Sequence, residues 1–184
     1  MSNQLKDKVA IITGAASGIG LATVRAFLEQ GACVIGADVQ DSRGRELEGE
    51  LGPNFHYQHG DVTSEVDVAA LVDTAVEKFG KLDIMFNNAG AAGNPEAILD
   101  ITPERFDHTI PLISRSVVIG HKYAARRFIA QKSGGSIIST ASLAAIQGGW
   151  SNVSYNMGKH AVAGLIKQAT AELAPHGIRR NAIS

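Results

Sequence analysis

Residues 13–20 are Thr13-Gly14-Ala15-Ala16-Ser17-Gly18-Ile19-Gly20, directly after the apolar run Val9–Ile12 and directly before a segment of helical period. The glycines let the backbone turn tightly, and the first turn of the following helix offers free N–H groups and the positive end of its dipole. The stretch therefore predicts a strand, a phosphate-binding loop and a helix in succession. A glycine triplet alone is also compatible with a tight strand–helix turn that binds no ligand.

A carboxylate after the second apolar run supports the binding interpretation. Asp38 lies 18 residues beyond Gly20, at the carboxyl end of the predicted strand Cys33–Asp38. A carboxylate there can accept hydrogen bonds from both hydroxyls of an adenosine ribose, and it repels a 2′-phosphate. No arginine or lysine occupies the loop or directly follows Asp38. The pair predicts a dinucleotide site that prefers NAD to NADP, and a solvated turn aspartate is the weaker alternative.

Short apolar runs alternate with helical segments along the whole chain. We predict strands at Val9–Ile12, Cys33–Asp38, Phe55–Gly60, Leu82–Asn87, Gly135–Thr140 and Arg179–Ser184. We predict helices at Ile19–Gln30, Ser42–Leu51, Ser64–Phe79, Pro103–Gln131 and Ser154–Pro175. The strands are rich in Val and Ile without alternation, which is typical of strands buried on both faces. The α/β pattern predicts a Rossmann-type, doubly wound parallel sheet with helices on both faces.

Length and charge narrow the classes of protein. A chain of 184 residues predicts a single domain over residues 1–184. With 17 basic and 18 acidic residues, the net charge of -1 argues against nucleic acid or an anionic membrane as a partner. Cys33 is the only cysteine, which rules out an internal disulfide, and its apolar setting predicts a buried thiol. The polar N-terminus and the lack of a long apolar run predict a cytoplasmic protein.

The glycine spacing Gly-x-x-x-Gly-x-Gly resembles that of the classical short-chain dehydrogenase/reductase family, and further motifs follow in that family's order from Lys8 to Ser184. Asp61-Val62 resembles the adenine-contacting pair after the third strand. Asn87-Asn88-Ala89-Gly90 resembles the motif after the fourth strand, where the resemblance implies that Asn87 props the sheet and that the Ala-Gly backbone lies along the cofactor. Cofactor binding is therefore expected at Gly14, Ser17, Gly18, Ile19, Gly20, Asp38, Asp61, Val62, Asn88, Ala89, Gly90, Tyr155 and Lys159.

Tyr155 and Lys159 are four residues apart at the start of a predicted helix, so both side chains project from one helical face. Tyrosine has an ordinary pKa of about 10, and a neighbouring ammonium, with the positive nicotinamide ring, stabilises tyrosinate. We expect Tyr155 to exchange a proton with a small-molecule alcohol or ketone while hydride passes to or from NAD, and Lys159 to bind the nicotinamide ribose. The resemblance implies that Ser142, 13 residues before Tyr155, hydrogen-bonds the substrate oxygen.

A chance surface pair at Tyr155 and Lys159, or a metal site at His160, is less well supported than a catalytic pair. A bare Tyr-x-x-x-Lys is usually a pair on a helix surface, but here Ser142 and the glycine loop are in register with it. His160 has no companion at metal-ligand spacing, so no metal site is predicted.

Four residues depart from the family's pattern. Ile113 occupies the place of an asparagine that relays protons between the lysine and water, which isoleucine cannot do. Ser116 stands where glycine is common. Pro111 removes a helical hydrogen bond at a cost of roughly 3 kcal/mol and predicts a kink or break near residues 107 to 111. Arg180 replaces a small apolar strand residue and is expected to face solvent, because burying an unpaired guanidinium is costly.

The resemblance also implies features beyond the matched motifs. The family continues past the sixth strand with a Pro-Gly segment, a helical lid over the substrate and a last strand, so we expect a fold truncated after the sixth strand. A homo-oligomer, a dimer or tetramer, is implied, with the helices Pro103–Gln131 and Ser154–Pro175 packed across a two-fold axis. The second helix carries an apolar stripe that fits a contact of this kind, formed by Ala161, Val162, Leu165, Ile166, Ala169 and Leu173.

Three functional hypotheses follow, in decreasing order of support. The first is an NAD-dependent alcohol dehydrogenase or carbonyl reductase that uses Ser142, Tyr155 and Lys159. The second is a catalytically impaired or non-catalytic NAD-binding module, favoured by Ile113 and by the missing substrate lid. A P-loop phosphotransferase is a distant third, because the glycine loop lacks the Gly-Lys-Ser/Thr ending that holds phosphate and magnesium.

Overall fold

A single parallel sheet organises the chain. The computed structural model describes residues 3–93 and 97–184. Its strands are β1 (Val9–Thr13), β2 (Cys33–Asp38), β3 (Phe55–His59), β4 (Ile84–Asn87), β5 (Gly135–Thr140) and β6 (Ile178–Ile183). They pair in the order β3-β2-β1-β4-β5-β6, with every neighbouring pair parallel. The predicted doubly wound sheet is confirmed, and its chain order reverses between β1 and β4.

Helices connect the strands and cover both faces. They are α1 (Gly18–Glu29), α2 (Asp41–Leu51), α3 (Glu65–Phe79), α4 (Pro103–Ile110), α5 (Ser116–Gln131) and α6 (Val153–Leu173). Short 3-10 turns cover Leu143–Ala145 and Ala174–His176. Gly31, Gly80 and Gly177 follow helical segments with φ angles of 85°, 81° and 68°, because glycine enters the left-handed region without a Cβ clash. No helix in the described part of the chain is long and apolar enough to cross a membrane.

Side chains from β1 enter two cores, one on each face of the sheet. Ile11 belongs to a core with Leu71 of α3 and Phe128 of α5. Its neighbour Ile12 belongs to the opposite core with Val24 of α1. Successive strand residues point to opposite faces, so a central strand that is covered on both sides needs apolar residues at every position. This explains the unbroken apolar runs in the sequence.

The helix predicted over Pro103–Gln131 is interrupted. α4 ends at Ile110, and residues Pro111–Arg115 form a π-helical turn before α5 begins. Proline has no N–H to continue the α-helical pattern. The hydroxyls of Ser114 and Ser116 donate to carbonyls one turn back and support this segment. A break is therefore present as predicted: α4 ends at Ile110, and the irregular turn extends beyond the predicted region to Arg115.

Two residues differ from their predicted environments. Arg180 of β6 is half-buried and does not face open solvent. Its guanidinium donates to the carbonyl oxygens of Ile178, at 2.5 Å, and Thr170, at 3.1 Å, so the charge is hydrogen-bonded where water is partly excluded. Cys33 is half-buried, not fully buried, at the start of β2. Burial nevertheless raises the pKa of its thiol.

Candidate active site

A cleft of about 510 Å³ opens at the carboxyl ends of the central strands. It lies where the chain order reverses between β1 and β4, the position at which doubly wound sheets bind ligands. Its described lining consists of Gly14, Ser17, Gly18, Ile19, Asp38, Val39, Gln40, Gly60, Asp61, Val62, Asn88, Ala89, Gly90, Ala91, Ala92, Leu112, Thr140, Tyr155 and Lys159. Every predicted cofactor-binding residue except Gly20 is in this set.

The glycine loop has the geometry that its sequence predicts. Gly14 adopts a φ of +68°, and a Cβ added at Gly20 would lie 1.9 Å from the Gly14 carbonyl oxygen. Gly20 therefore packs against the backbone of the loop and is not part of the cleft lining. A Cβ at Gly18 would meet nothing within 4 Å, which leaves open space at the start of α1. Ser17 precedes α1 without a side-chain capping bond, so its hydroxyl does not occupy the first-turn N–H groups.

Asp38 is fixed against the loop. Its carboxylate is buried, and its Oδ2 accepts a 2.9 Å hydrogen bond from the backbone N–H of Ala16. Its Oδ1 accepts a bond from the backbone N–H of Gln40 at 3.1 Å. On α2, Arg43 pairs with Glu46 and Glu50, so its positive charge is already engaged. The site thus presents an ordered carboxylate at the end of β2.

The second asparagine of the Asn87-Asn88 pair joins the strands. The Asn88 side-chain amide donates to the carbonyl oxygen of Thr13 at 3.0 Å, and its Oδ1 accepts from the Thr140 hydroxyl at 3.0 Å. These bonds connect the ends of β1, β4 and β5. Asn87 instead packs against α5, where a Cβ at Gly120 would lie 1.9 Å from its Oδ1. The side-chain bonds between these strand ends are therefore made by Asn88, whereas Asn87 is buried between β4 and α5.

Asp61 and Val62 follow β3 and line the cleft, as the resemblance implied. The Oδ1 of Asp61 accepts bonds of 2.8 Å from both the N–H and the hydroxyl of Thr63. Val62 is buried. The turn after β3 is thereby held by its own side chains, with one acid and one apolar residue at the cleft.

Tyr155 and Lys159 lie on the first turns of α6 and share the cleft. The Lys159 Nζ is 5.5 Å from the centre of the Tyr155 ring, and it donates a 2.6 Å bond to the carbonyl oxygen of Thr140. Lys159 is buried, and this burial lowers the pKa of its ammonium. Asn152 begins the helix, because its Oδ1 accepts a 2.9 Å bond from the backbone N–H of Tyr155.

Ser142 lies at the end of β5 but outside the described cleft lining. Its Oγ accepts a 3.1 Å bond from the backbone N–H of Ala144 and caps the short 3-10 turn. A hydroxyl that accepts one bond still has its proton to donate. The structure therefore brings Tyr155 and Lys159 to the cleft and leaves Ser142 beside it.

Ile113 fills the space between α6 and the loop after β4. Its side chain is buried within the π-helical turn. A Cβ at Gly158 would lie 2.7 Å from Ile113 Cγ2, and one at Gly90 would lie 3.6 Å from its Cδ1. Ile113 therefore makes an apolar contact at the place of the family's relay asparagine. This contact is with Gly158, the residue before Lys159.

Seven residues of the cleft lining were not predicted. Some of them could have been found from the sequence pattern and others could not. Thr140 ends a predicted strand, so its position at the carboxyl edge was available from the sequence pattern. Leu112 was hidden by the irregular turn that Pro111 starts. No three His, Cys, Asp or Glu side chains within residues 3–93 and 97–184 lie together as metal ligands.

Comparisons with known proteins agree with this geometry. The family model described as short chain dehydrogenase matches residues 8–184. The chain is 48% identical over 185 residues to momilactone A synthase of Oryza sativa subsp. japonica, covering 100% of this chain and 67% of that protein. It is 47% identical over 184 residues to (+)-borneol dehydrogenase 2 of Salvia officinalis, covering 98% and 65%. The chain thus spans about two thirds of the length of these relatives.

A solved structure shows the same architecture. A short chain dehydrogenase from Mycobacterium smegmatis superposes with a TM-score of 0.93 at 34% sequence identity. The match covers 98% of this chain and 77% of that one. Together with the glycine loop, the Tyr155–Lys159 pair and the family match, this establishes that the chain belongs to the classical short-chain dehydrogenase/reductase family of oxidoreductases.

Proposed function

We propose that this protein is an NAD(H)-dependent oxidoreductase that interconverts a secondary alcohol and a ketone, with Tyr155 as the acid/base. The observation that carries the proposal is that Tyr155 and Lys159 line the same cleft as the glycine loop and Asp38. A cofactor held by the loop and a substrate held at the tyrosine would then meet in one cleft. Three of the relatives are named as borneol dehydrogenases, two of Salvia officinalis and one of Lavandula x intermedia.

The cleft residues fit NAD. The open space at Gly18 and the uncapped first turn of α1 suit a pyrophosphate, which binds backbone N–H groups at a helix N-terminus. The ordered carboxylate of Asp38 suits the ribose hydroxyls, and Arg43 is engaged by acids on its own helix. When bound, NAD supplies the hydride acceptor and NADH the hydride donor. The proton chemistry falls to the protein's own side chains.

Tyr155 takes the proton of the substrate hydroxyl in oxidation and returns it in reduction. Lys159 favours the tyrosinate, because its ammonium is close to the ring and is held out of bulk water. An ammonium has three donors, and the bond to Thr140 uses one of them. Two N–H groups are left for the ribose and the phenolic oxygen. Ser142 donates its free proton to the substrate oxygen and orients it.

A second candidate function is a catalytically impaired NAD-binding module. It is favoured by Ile113, whose buried hydrocarbon side chain occupies the place of the family's relay asparagine. The two functions share the cofactor site and differ in proton delivery. Turnover of a panel of secondary alcohols and ketones by the wild type and by Ile113→Asn separates them. If both proteins bind NADH and neither turns over any member of the panel, the module function replaces the enzyme function.

Cofactor titration is the experiment that tests the proposal most directly. The purified protein is titrated with NADH and, separately, with NADPH while the reduced nicotinamide fluorescence is followed. Saturable NADH binding with much weaker NADPH binding is expected from Asp38. Equal binding of both cofactors would contradict the assigned preference, and binding of neither would contradict the cofactor site.

We also propose a homo-oligomer, a dimer or tetramer, with α5 and α6 packed across a two-fold axis. Val118 and Ile129 are exposed on α5, and Ala161 is exposed on α6. Light scattering is expected to give a dimer or tetramer, and a clean monomer would contradict this. A cytoplasmic location stays a prediction, to be checked by imaging the tagged protein in its native cells.

A further inference from the structure

A cluster of three polar side chains lies next to Asp38, between α2 and β3. The hydroxyl of Tyr57 shares its proton between Asp41 Oδ1, at 2.7 Å, and the backbone carbonyl oxygen of Asp38, at 2.8 Å. The Nδ1 atom of His59 lies 2.8 Å from the same Asp41 oxygen. An ionised carboxylate only accepts hydrogen bonds, so Nδ1 carries the proton of this contact. We call these residues the Tyr57–Asp41–His59 cluster.

The cluster connects two stretches of chain that line the cleft. Asp41 directly follows the lining residues 38–40 at the end of β2, and His59 directly precedes the lining residues 60–62 at the end of β3. The Asp38 carbonyl oxygen also accepts a 3.1 Å bond from the backbone N–H of Gly60. Tyr57, Asp41 and His59 are not themselves part of the described cleft lining. The cluster therefore holds two walls of the cleft together without occupying it.

The ring of Tyr57 fits closely against α2. Tyr57 is 7% exposed, and a Cβ added at Gly44 would lie 2.1 Å from its ring. Burial, followed by the bond to Asp41, raises the pKa of the Tyr57 phenol, so the hydroxyl keeps its proton at neutral pH. The bonds from Tyr57 and His59 lower the pKa of Asp41, so its carboxylate stays ionised. The contact between Tyr57 and Asp41 thus joins a lasting donor to a lasting acceptor.

We propose that Tyr57 and Asp41 are positioning residues for the adenosine of the cofactor, with His59 holding the Asp41 carboxylate in place. This inference rests on the proposed function, because it takes NAD(H) as the molecule in the cleft. Tyr57 binds the backbone of Asp38, and the Asp38 side chain is the proposed acceptor for the ribose hydroxyls. A binding group keeps its geometry when a supporting layer of hydrogen bonds fixes it. Removing the Tyr57 hydroxyl frees the end of β2 to move away from the ribose.

ADP-ribose tests this role directly, because it contains the adenosine and pyrophosphate of NAD and lacks the nicotinamide. Isothermal titration calorimetry measures its affinity for the wild type, Tyr57→Phe and Tyr123→Phe. Tyr123 is the matched control, since its hydroxyl also donates to a carboxylate, that of Glu65, outside the cleft lining. We expect Tyr57→Phe to weaken ADP-ribose binding about tenfold and Tyr123→Phe to leave it unchanged. Equal losses in the two variants would overturn the inference.

A double-mutant cycle distinguishes positioning of Asp38 from general loosening of the fold. In the Asp38→Asn background the proposed acceptor for the ribose is already altered. Tyr57→Phe is expected to change ADP-ribose affinity less than about twofold in that background, because its effect passes through Asp38. Residues that act independently would lose affinity by the same factor in both backgrounds, and that result would overturn the inference.

Asp41 gives an independent test at the exposed start of α2. Asp41→Asn keeps an oxygen that can accept from Tyr57 and His59, and should hold ADP-ribose affinity within about threefold of the wild type. Asp41→Ala removes the acceptor and should weaken binding about tenfold. Equal affinity of these two variants would overturn the inference. Because this position is exposed, the test remains available if Tyr57→Phe does not fold.

Three outcomes separate this inference from the proposed function. If the wild type and Tyr57→Phe bind ADP-ribose equally well, the cofactor site stands and the inference fails. If ADP-ribose binding falls as expected but no alcohol or ketone is turned over, the positioning role stands and the catalytic proposal fails. If the wild type binds neither ADP-ribose nor NADH, the cofactor site fails and this inference fails with it.

Discussion

The Lys159 ammonium donates a 2.6 Å hydrogen bond to the backbone carbonyl oxygen of Thr140. This bond connects α6 to the last residue of β5. No carboxylate in residues 3–93 or 97–184 forms an ion pair with Lys159, and burial lowers the pKa of its ammonium. The protein thus keeps a buried cation that carries a cost in stability, as is common where a charge serves chemistry.

Replacing this cation should separate activity from stability. We expect Lys159→Met to reduce turnover at least about 100-fold, because Tyr155 loses the charge that favours its ionised form. We expect the melting temperature at pH 7 to stay level or rise, since the desolvation cost disappears and only one hydrogen bond is lost, worth about 1 kcal/mol. Thermal unfolding and ketone reduction by NADH measure the two effects.

The stability difference between the wild type and Lys159→Met should also depend on pH. A lysine with a lowered folded-state pKa destabilises the folded protein below that pKa, and the cost fades as the pH rises toward the ordinary lysine value of about 10.4. The wild type should therefore gain stability relative to Lys159→Met as the pH rises toward 10.4. Lys167→Met, an exposed position on the same helix, is the control. A variant that melts lower at every pH would contradict the prediction.

Asp38 should control the choice of cofactor. Its carboxylate accepts bonds from the backbone N–H groups of Ala16 and Gln40, and the amide oxygen of an asparagine can replace only part of this set. We expect Asp38→Asn to lower the ratio of NADH to NADPH affinity at least about tenfold, or ~1.4 kcal/mol, because repulsion of the 2′-phosphate is removed. Fluorescence titration of both cofactors measures the ratio.

The control for this prediction is Asp73→Asn. Asp73 is exposed on α3, and its replacement changes the net charge by the same amount. An unchanged ratio in Asp38→Asn, or equal changes in both variants, would mean that the preference does not arise at the end of β2.

Local patterns explain what the sequence predicted well. The glycine loop, Asp38 and the Tyr155–Lys159 pair each depend on spacing within one turn or one strand end, and the structure brings all of them to one cleft. Strand ends differ from the predicted ones by at most two residues. Burial on both faces produces an apolar run that is visible without knowledge of the partners.

What the sequence did not predict depends on contacts between distant segments. Asn88 and Asn87 are adjacent, and only the fold reveals which one reaches Thr13 and Thr140 and which one packs on α5. The break after α4 was predicted from a proline, but the π-helical form depends on how the chain recovers its hydrogen bonds over the next turn. Asn152 was not predicted: its cap of α6 is local and typical of asparagine before a helix, whereas its bond to the Ala92 carbonyl depends on the fold.

Asn152 should therefore matter for more than helix stability. Its side chain caps α6 through the N–H of Tyr155 and also holds the Ala92 carbonyl. Asn152→Ala is expected to cost about 1 kcal/mol of stability through the lost cap. It is also expected to raise the KM for ketone, because the loop after β4 and the segment before α6 are no longer joined. Chemical denaturation and steady-state kinetics measure the two effects.

Ser64→Ala is the matched control for Asn152. Ser64 caps α3 by accepting from the N–H of Asp67. It comes shortly after the cleft residues Asp61 and Val62 but does not line the cleft, and it follows β3, which is four strands from β5 in the sheet. Its loss should cost a similar free energy of unfolding and leave the KM unchanged. If both variants raise the KM equally, the effect comes from general loosening of the fold, and Asn152 has no positioning role.

His121 should set part of the protein's sensitivity to acid. It is buried on α5, and its Nδ1–H donates a 2.8 Å bond to the Val117 carbonyl oxygen. Burial lowers its pKa below the ordinary histidine value of about 6.5, and the nearby positive charge of Arg180 acts in the same direction. A second proton on Nε2 would enter a site where that atom has no partner among the described residues.

Proton binding to His121 should lower the free energy of unfolding in acid. Below about pH 6.5 the unfolded chain takes up a proton at His121 that the folded chain resists, so the free energy of unfolding should fall as the pH falls through this window. His121→Gln removes that titration and should flatten the slope between about pH 6.5 and 5, whereas His108→Gln at an exposed site should not. Urea denaturation across this pH range measures the slope. If the wild type and His121→Gln lose stability in parallel, another group is responsible, and the burial of His121 does not govern the response to acid.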